Sequence, residues 1–271
     1  MIAVSIEASY RRVARSALRQ GALSTGERAV PEEVPVAFSY GGSTHAVMMA
    51  SPADLVDFAV GFSLTEGIIS ARTEIRAIEV IEAGQGYDVQ VDLMDAEADA
   101  LRARRRHMAG PVGCGLCGIE SIEQAVRVVP DLSGARMSIH GDDIVAAVKA
   151  LSDAQSLNRE TRAVHGAGFY SPQDGLLAVR EDVGRHNALD KLAGAVVNAG
   201  ISAKTGIVAV TSRLSVEMVQ KTAILGSPVM AAISAPTALA IETAESAGIT
   251  LVALVRGEDF EIFTRADRVI L

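Results

Sequence analysis

The second half of the chain alternates strictly. GIVAVTS (Gly206 to Ser212), PVMAAISA (Pro228 to Ala235) and ITLVALVRG (Ile249 to Gly257) are near-continuous apolar runs. Between them lie the helical patterns VEMVQKTAILG (Val216 to Gly226) and ALAIETAESAG (Ala238 to Gly248). Apolar strands separated by helices of about 10–15 residues bury both sheet faces, so the pattern predicts a mainly parallel sheet covered on both sides. HNALDKLAGAVVNAG (His186 to Gly200) adds a helix, GFYSPQDGLLAVREDV (Gly168 to Val183) a hairpin turning at Gln173-Asp174-Gly175, and DFEIFTR (Asp259 to Arg265) closes the chain. Composition agrees: 49% of residues are apolar, only 4% aromatic and none Trp, so Ala, Val, Leu and Ile must build the core.

The first half is more mixed. EEVPVAFSYGGSTHAVMMA (Glu32 to Ala50) predicts a hairpin about Gly41-Gly42, and AIEVIEAGQGYDVQVDL (Ala77 to Leu93) a second about Gly84 and Gly86. Between them, Ser51 suits an N-cap with Pro52 at the first helical position; Leu55, Phe58, Ala59 and Phe62 recur at helical spacing, and Gly67 ends the run. A charged stretch, Asp95 to Gly110, leads into the only two cysteines, and DDIVAAVKALSDAQ (Asp142 to Gln155) is a clear helix after Gly141. The basic ASYRRVARSALRQG (Ala8 to Gly21) reads as a flexible or loosely helical arm. The expected organisation is a basic arm over 1–24, a smaller α+β domain over 25–130 carrying the cysteines, and an α/β domain over 131–271.

Formal charge is −8 and the pI about 5.2, without the basic face of a general nucleic-acid binder. An anionic ligand would need local help from helix N-termini and single arginines. The least polar stretch, Ser227 to Ile241, falls short of the ~20 residues of a membrane span and holds two prolines. The N-terminus lacks a secretory apolar core. Two cysteines without signs of export point to a reducing cytoplasm.

Those cysteines, Cys114 and Cys117 in GPVGCGLCGIESIEQA, stand among Gly113, Gly115 and Gly118. Glycines free the backbone and clear space around a thiol, which suits a reactive sulfur that must meet several partners. A helical pattern after Cys117 and the RARRR run (Arg102 to Arg106) favour the thiolate; Glu120 and Glu123 oppose it. Half of a zinc site completed by His107 or a second subunit, and a dithiol–disulfide pair, are open alternatives. A deaminase zinc centre fails, because His107 lacks a Glu two places on and Pro111 is not adjacent to Cys114.

LTEGII (Leu64 to Ile69), EDVGRHNALDK (Glu181 to Lys191), SRLSVEMVQK (Ser212 to Lys221), SAPTALAIETAESAGITL (Ser234 to Leu251) and FEIFTR (Phe260 to Arg265) join the CGLCG loop in one pattern. Over roughly residues 30 to 271 the chain resembles the formate dehydrogenase accessory sulfurtransferases, the FdhD family. The resemblance implies a persulfide carrier at Cys114 assisted by Cys117. It implies sulfur taken from a cysteine desulfurase and given to the molybdenum bis(molybdopterin guanine dinucleotide) cofactor before insertion into the formate dehydrogenase catalytic subunit. It implies cofactor binding by Phe260, Glu261, Ile262, Phe263, Thr264 and Arg265, a cytidine-deaminase-like three-layer large domain, and a homodimer without metal of its own.

The helix starts offer anion donors beside this: Arg185 and His186, with Asn187 next to them, then Arg213 and Ser215, then Ser234 and Thr237. Each also has a plain structural use. Ser215 and Thr237 suit N-caps, Asp182 suits pairing with Arg185, and Glu66 suits either binding or capping. Met218 and the apolar residues of SAPTALAI suit the core. Two departures stand out: Arg162 and Ala163 replace both glycines of the family's T-G-G-x-H, and Ser212 replaces the glycine of S-G-R-x-S. A cofactor chaperone without sulfur chemistry and a zinc-binding structural module are the competing functions.

Overall fold

The computed structural model of the chain describes residues 9–107 and 129–271, and no side chains between 102 and 107. Cys114 and Cys117 lie outside the described residues.

Strands β1 (Tyr10–Arg19) and β2 (Ala22–Pro31) form a separate antiparallel hairpin in which Leu18 faces Leu23. The sequence suggests a flexible or loosely helical arm here. The difference arises because the turn carries the strand signal: Gln20 and Gly21 take φ of 50° and 81°, the primed-turn geometry that closes a two-residue hairpin. Next come β3 (Val34–Tyr40), β4 (Ser43–Ala50), helix α1 (Leu55–Thr65), β5 (Ile75–Ala83) and β6 (Gly86–Leu93). Their four strands pair in the order β4-β3-β6-β5, and both predicted hairpins are present. Phe38, Phe58 and Phe62 centre the core under α1, with the Phe38 and Phe62 rings stacked 4.6 Å apart.

Ser51 does not cap α1. Asp54 holds the N-cap at φ 55° without a side-chain cap bond, and the helix starts at Leu55. Ser51 is instead recruited by the other half of the chain: its N–H donates to Asp182 Oδ2 at 3.0 Å and its hydroxyl accepts from Val183 N–H at 3.2 Å. The charged stretch forms helix α2 (Asp95–His107), with Asp95 and Glu97 favourably placed in its first turn.

The larger unit contains β7 (Ile139–His140), α3 (Gly141–Ala154), α4 (Ser156–Thr161), β8 (His165–Ser171), β9 (Gly175–Asp182), α5 (Arg185–Asn198), β10 (Ile207–Val210), α6 (Val216–Leu225), β11 (Val229–Ala232), α7 (Ala238–Ala247), β12 (Thr250–Arg256), β13 (Asp259–Ile262) and β14 (Val269–Ile270). Six strands form one sheet in the order β13-β12-β11-β10-β8-β9. Ala167, Val208, Met230 and Leu251 pack with α5, α6 and α7 on one face; Ile207, Ala209, Val229 and Val252 pack with α3 on the other. Both faces are covered, as the apolar strands require.

The sheet is mixed rather than mainly parallel. Only β10–β11 and β11–β12 are parallel, while β8–β9, β8–β10 and β12–β13 run antiparallel. The hairpin and the closing strand attach at the two edges of a parallel centre, which composition could not place.

Candidate functional site

The parallel centre fixes where a site forms. The C-terminal ends of β10, β11 and β12 share one end of the sheet, β8 begins there, and β9 finishes there. Helices α5, α6 and α7 therefore all start at this end, the usual binding edge of such sheets. Two neighbouring loops are stitched together: Thr237 N–H donates to Leu214 O at 3.0 Å and Leu214 N–H to Ala235 O at 3.2 Å. Arg185, His186, Arg213, Ser215, Ser234 and Thr237 thus gather at one end.

Most of EDVGRHNALDK is occupied with holding the fold. Asp182, fully buried, accepts from Ser51 N–H, Gly184 N–H at 2.7 Å and Asn187 Nδ2 at 2.9 Å, and pairs with Lys191 Nζ at 2.6 Å. It pairs with Lys191 and not with Arg185. Asn187 also reaches Met49 O and Lys191 reaches Ser51 O, both at 2.9 Å, so this network ties the two units together. Glu181 accepts from the N–H groups of Leu157 and Asn158 at the start of α4. Asp190 accepts from Thr65 Oγ1 at 2.6 Å and from Lys221 Nζ at 2.8 Å, and Lys221 also meets Glu66 at 3.0 Å. Burial pushes the Asp190 carboxyl up despite Lys221, whereas Lys221, equally buried, is raised by Asp190 and Glu66 against its desolvation.

What remains is Arg185 and His186. The Arg185 Nε and His186 Nε2 atoms are both buried and lack a hydrogen-bond partner among the described residues. His186 Nε2 lies 3.7 Å from Glu217 Oε2, too far for a hydrogen bond. Burial pushes the His186 imidazole down to about 4; Arg185 and Lys221 add to that, while Glu217 and Glu66 oppose it. Burial would raise Glu217, but the Ser215 hydroxyl, its own N–H, His186 and Arg185 outweigh it, so its carboxyl is lowered. At neutral pH the site therefore presents a guanidinium, a neutral imidazole and a carboxylate. His165, at the start of β8, is lowered by burial and by Arg185 in turn.

A titration follows from this. The His186 ring resonances should move at about 4 rather than near ~6.5. Between those values the unfolded chain binds the proton first, so His186 contributes stability above pH ~6.5 that is lost as pH falls toward 4. A ring titrating near 6.5 by NMR would show the site to be open to water.

The other candidates are mixed. Thr237 is a true N-cap, its hydroxyl accepting from Ala240 N–H at 3.2 Å. Ser215 occupies the N-cap of α6 without a cap bond. Arg213 is exposed, and its carbonyl accepts from the Ser212 hydroxyl at 3.0 Å. Ser234 is half-buried and its carbonyl accepts from Leu254 N–H at 3.4 Å. Arg162 takes φ 52° at the end of α4, so the family's glycine there answers a backbone need at a turn.

Phe260 to Arg265 run along the sheet edge away from this end. Phe260 and Ile262 pack on the α3 face, Glu261 is exposed opposite Ala253, and Phe263 packs on the α7 face. Thr264 bonds to Ile249 O and Leu251 N at the far end of β12, where Arg265 pairs with Asp267 at 3.0 Å. Within one chain Thr264 and Arg265 therefore do not meet Arg185 and His186.

Sequence reasoning passed over Glu217, Lys221 and His165. Glu217, in the first turn of α6, and Lys221, four residues on, were legible as an i,i+4 pair on one face of that helix. Among the described residues no three His, Asp or Glu side chains converge as a metal site, and no helix is long and apolar enough to cross a membrane.

Comparison with known proteins agrees with this architecture. The chain is 89% identical to the sulfur carrier protein FdhD of Agrobacterium fabrum, over all of both chains. It is 57% identical to the protein of that name from Brucella abortus, over 96% of this chain and 97% of that one. The crystal structure of a protein assigned as a formate dehydrogenase accessory protein, from Desulfotalea psychrophila, superposes with a TM-score of 0.77 at 26% identity, covering 96% of this chain and 99% of that one. The model of the FdhD/NarQ family matches residues 31–270. With nearly its whole length accounted for in this way, the chain belongs to the FdhD/NarQ family.

Proposed function

We propose that this chain is a sulfur carrier serving formate dehydrogenase maturation, with Cys114 as the carrying group. The observation that carries the reading is its 89% identity, end to end, to a protein named as a sulfur carrier. The paired cysteines among glycines support it. In the loading step the Cys114 thiolate attacks the terminal sulfur of the donor's cysteine persulfide. The donor's S–S bond breaks, its cysteine leaves as thiolate, and Cys114 holds the sulfur without net oxidation. Cys117 assists release.

The acceptor is the molybdenum bis(molybdopterin guanine dinucleotide) cofactor, handled here as substrate. The unpartnered Arg185 Nε and His186 Nε2, beside the N-terminus of α5, suit its pyrophosphate oxygens or guanine edge. A neutral His186 accepts or donates a hydrogen bond without adding charge. Thr264 and Arg265 lie at the opposite end, so a large ligand touching both groups of residues draws on two surfaces, which suits a homodimer. A cytoplasmic setting suits a carrier whose thiols must stay reduced.

The test is intact-protein mass after incubation with a cysteine desulfurase and cysteine. The wild type should gain one sulfur, removable by reductant, and Cys114→Ala should gain none. If Cys114→Ala still activates formate dehydrogenase fully, the chain delivers cofactor without carrying sulfur.

A further inference from the structure

The hairpin β1–β2 belongs to neither core. It is a two-stranded sheet whose outer edges pair with no other strand among the described residues. It precedes nearly all of the family-matched range of 31–270. Residues 10–31 carry five arginines and one glutamate, +4, in a chain of −8, so the rest of the molecule carries −12. On β1, Arg11, Arg15 and Arg19 recur every fourth residue and so share one face over roughly 27 Å. Arg28 stands opposite Val13 on that face.

A groove between this hairpin and the end of α4 is lined by Arg12, Arg15, Arg19, Arg28 and Arg162, with Glu27 and Glu160. The fold uses few of these charges. Arg28 is held by Thr161 O at 3.2 Å, and Arg12 lies 3.9 Å from Glu160. Arg15 and Arg19 have no ion-pair partner among the described residues, and Arg15 Nη1 is buried without any hydrogen-bond partner. Arg162 occupies a left-handed backbone position that favours glycine, so the chain accepts strain where it adds a fifth guanidinium to the groove. At the tip, Leu18 and Leu23 face each other at 72% and 74% exposure.

Like charges along one strand face repel, and an apolar tip in water gains nothing for folding. Both make sense when a partner covers them. Free strand edges, an apolar knob and a row of guanidiniums fit a protein surface better than a nucleic acid, which uses neither the edges nor the knob. The −12 formal charge of the rest of the chain would also repel an extended polyanion. We propose that the β1–β2 hairpin docks the sulfur-donating protein, through a carboxylate-lined strip with an apolar recess that receives Leu18 and Leu23. This rests on the sulfur-carrier reading. The donor is preferred over the acceptor enzyme because the acceptor must reach the other site, at the end of the sheet where Arg185 and His186 lie.

The experiment uses the full chain and a purified cysteine desulfurase. Arg15→Glu with Arg19→Glu should weaken desulfurase binding at least about tenfold, and Leu18→Ser with Leu23→Ser should weaken it independently. Arg15→Lys with Arg19→Lys should restore most of it, and wild-type binding should fall as salt rises. Persulfide loading from the desulfurase should drop in parallel, while loading by inorganic polysulfide stays at the wild-type level, which also shows that the variants are folded. Equal desulfurase binding by wild type and both variants overturns the docking site. So does a single-stranded oligonucleotide whose binding alone is lost in the Arg→Glu variant. A wild type that binds the desulfurase but takes sulfur from neither source defeats the carrier reading and leaves the docking site standing.

Discussion

Replacing Lys191 with methionine should lower the unfolding free energy by roughly 3–5 kcal/mol, because it strands a buried carboxylate. Both side chains of the Lys191–Asp182 pair are 0% exposed. The three N–H donors left on Asp182, from Ser51, Gly184 and Asn187, orient the carboxylate but do not neutralise it. The loss should appear as a lower urea midpoint with an unchanged slope. Lys191→Met with Asp182→Asn should recover part of it, since the double variant buries no unpaired charge. The same variant should weaken ligand binding at Arg185 and His186, because Asp182 holds Gly184, the N-cap from which α5 starts. A loss under about 1 kcal/mol for Lys191→Met would mean that water reaches Asp182 in solution.

This network explains which parts of the molecule could be read from sequence. Alternating apolar strands and helices report local periodicity, and residues 206–257 fold as that pattern predicts. Hairpins at Gly41-Gly42 and Gln173-Asp174-Gly175 follow from turn chemistry, equally local. The role of Asp182 does not. Its partners Ser51 and Lys191 lie 131 residues before it and nine after it, and nothing near position 51 signals that its N–H points at a carboxylate rather than capping a helix. The motif EDVGRHNALDK was therefore visible as a unit, but its division into fold-holding residues and the free pair Arg185 and His186 needed the packing. The β1–β2 hairpin escaped for another reason. Arginines fall on both faces of β1 and β2 is mostly small or polar, so no continuous apolar face marks the strands, and only the tight turn at Gln20-Gly21 betrays a strand pair.

A second large effect is expected where α1 crosses α5. Gly61 and Gly194 bring the two backbones into contact. A Cβ on Gly61 would stand 2.6 Å from the Asp190 carbonyl carbon and 2.8 Å from Gly194 N. One on Gly194 would stand 2.6 Å from the Asp57 carbonyl carbon and 2.9 Å from its Cα. Two effects compete in Gly61→Ala or Gly194→Ala. Alanine gains about 1 kcal/mol of helix propensity over glycine. Against it, the obstacles are backbone atoms of a packed helix, so the helices must part, at a typical cost of ~1–3 kcal/mol from overpacking alone. Parting them also stretches Thr65 Oγ1 to Asp190 at 2.6 Å and Asn198 Nδ2 to Asp57 Oδ1 at 2.7 Å, which both cross this joint, and disturbs the bonds from Lys221 to Glu66 and from Arg180 to Asp57 that hold α1 to its other neighbours. Overpacking and lost polar contacts together exceed the propensity gain, so each variant should be less stable by about 2 kcal/mol or more in urea unfolding. Because Glu66 and Lys221 belong to the charges around His186, the movement should also let water in and raise the His186 titration from about 4 toward its ordinary value. An alanine variant that gains stability, with the His186 titration unmoved, would show that the helices cross at a distance where a methyl group fits.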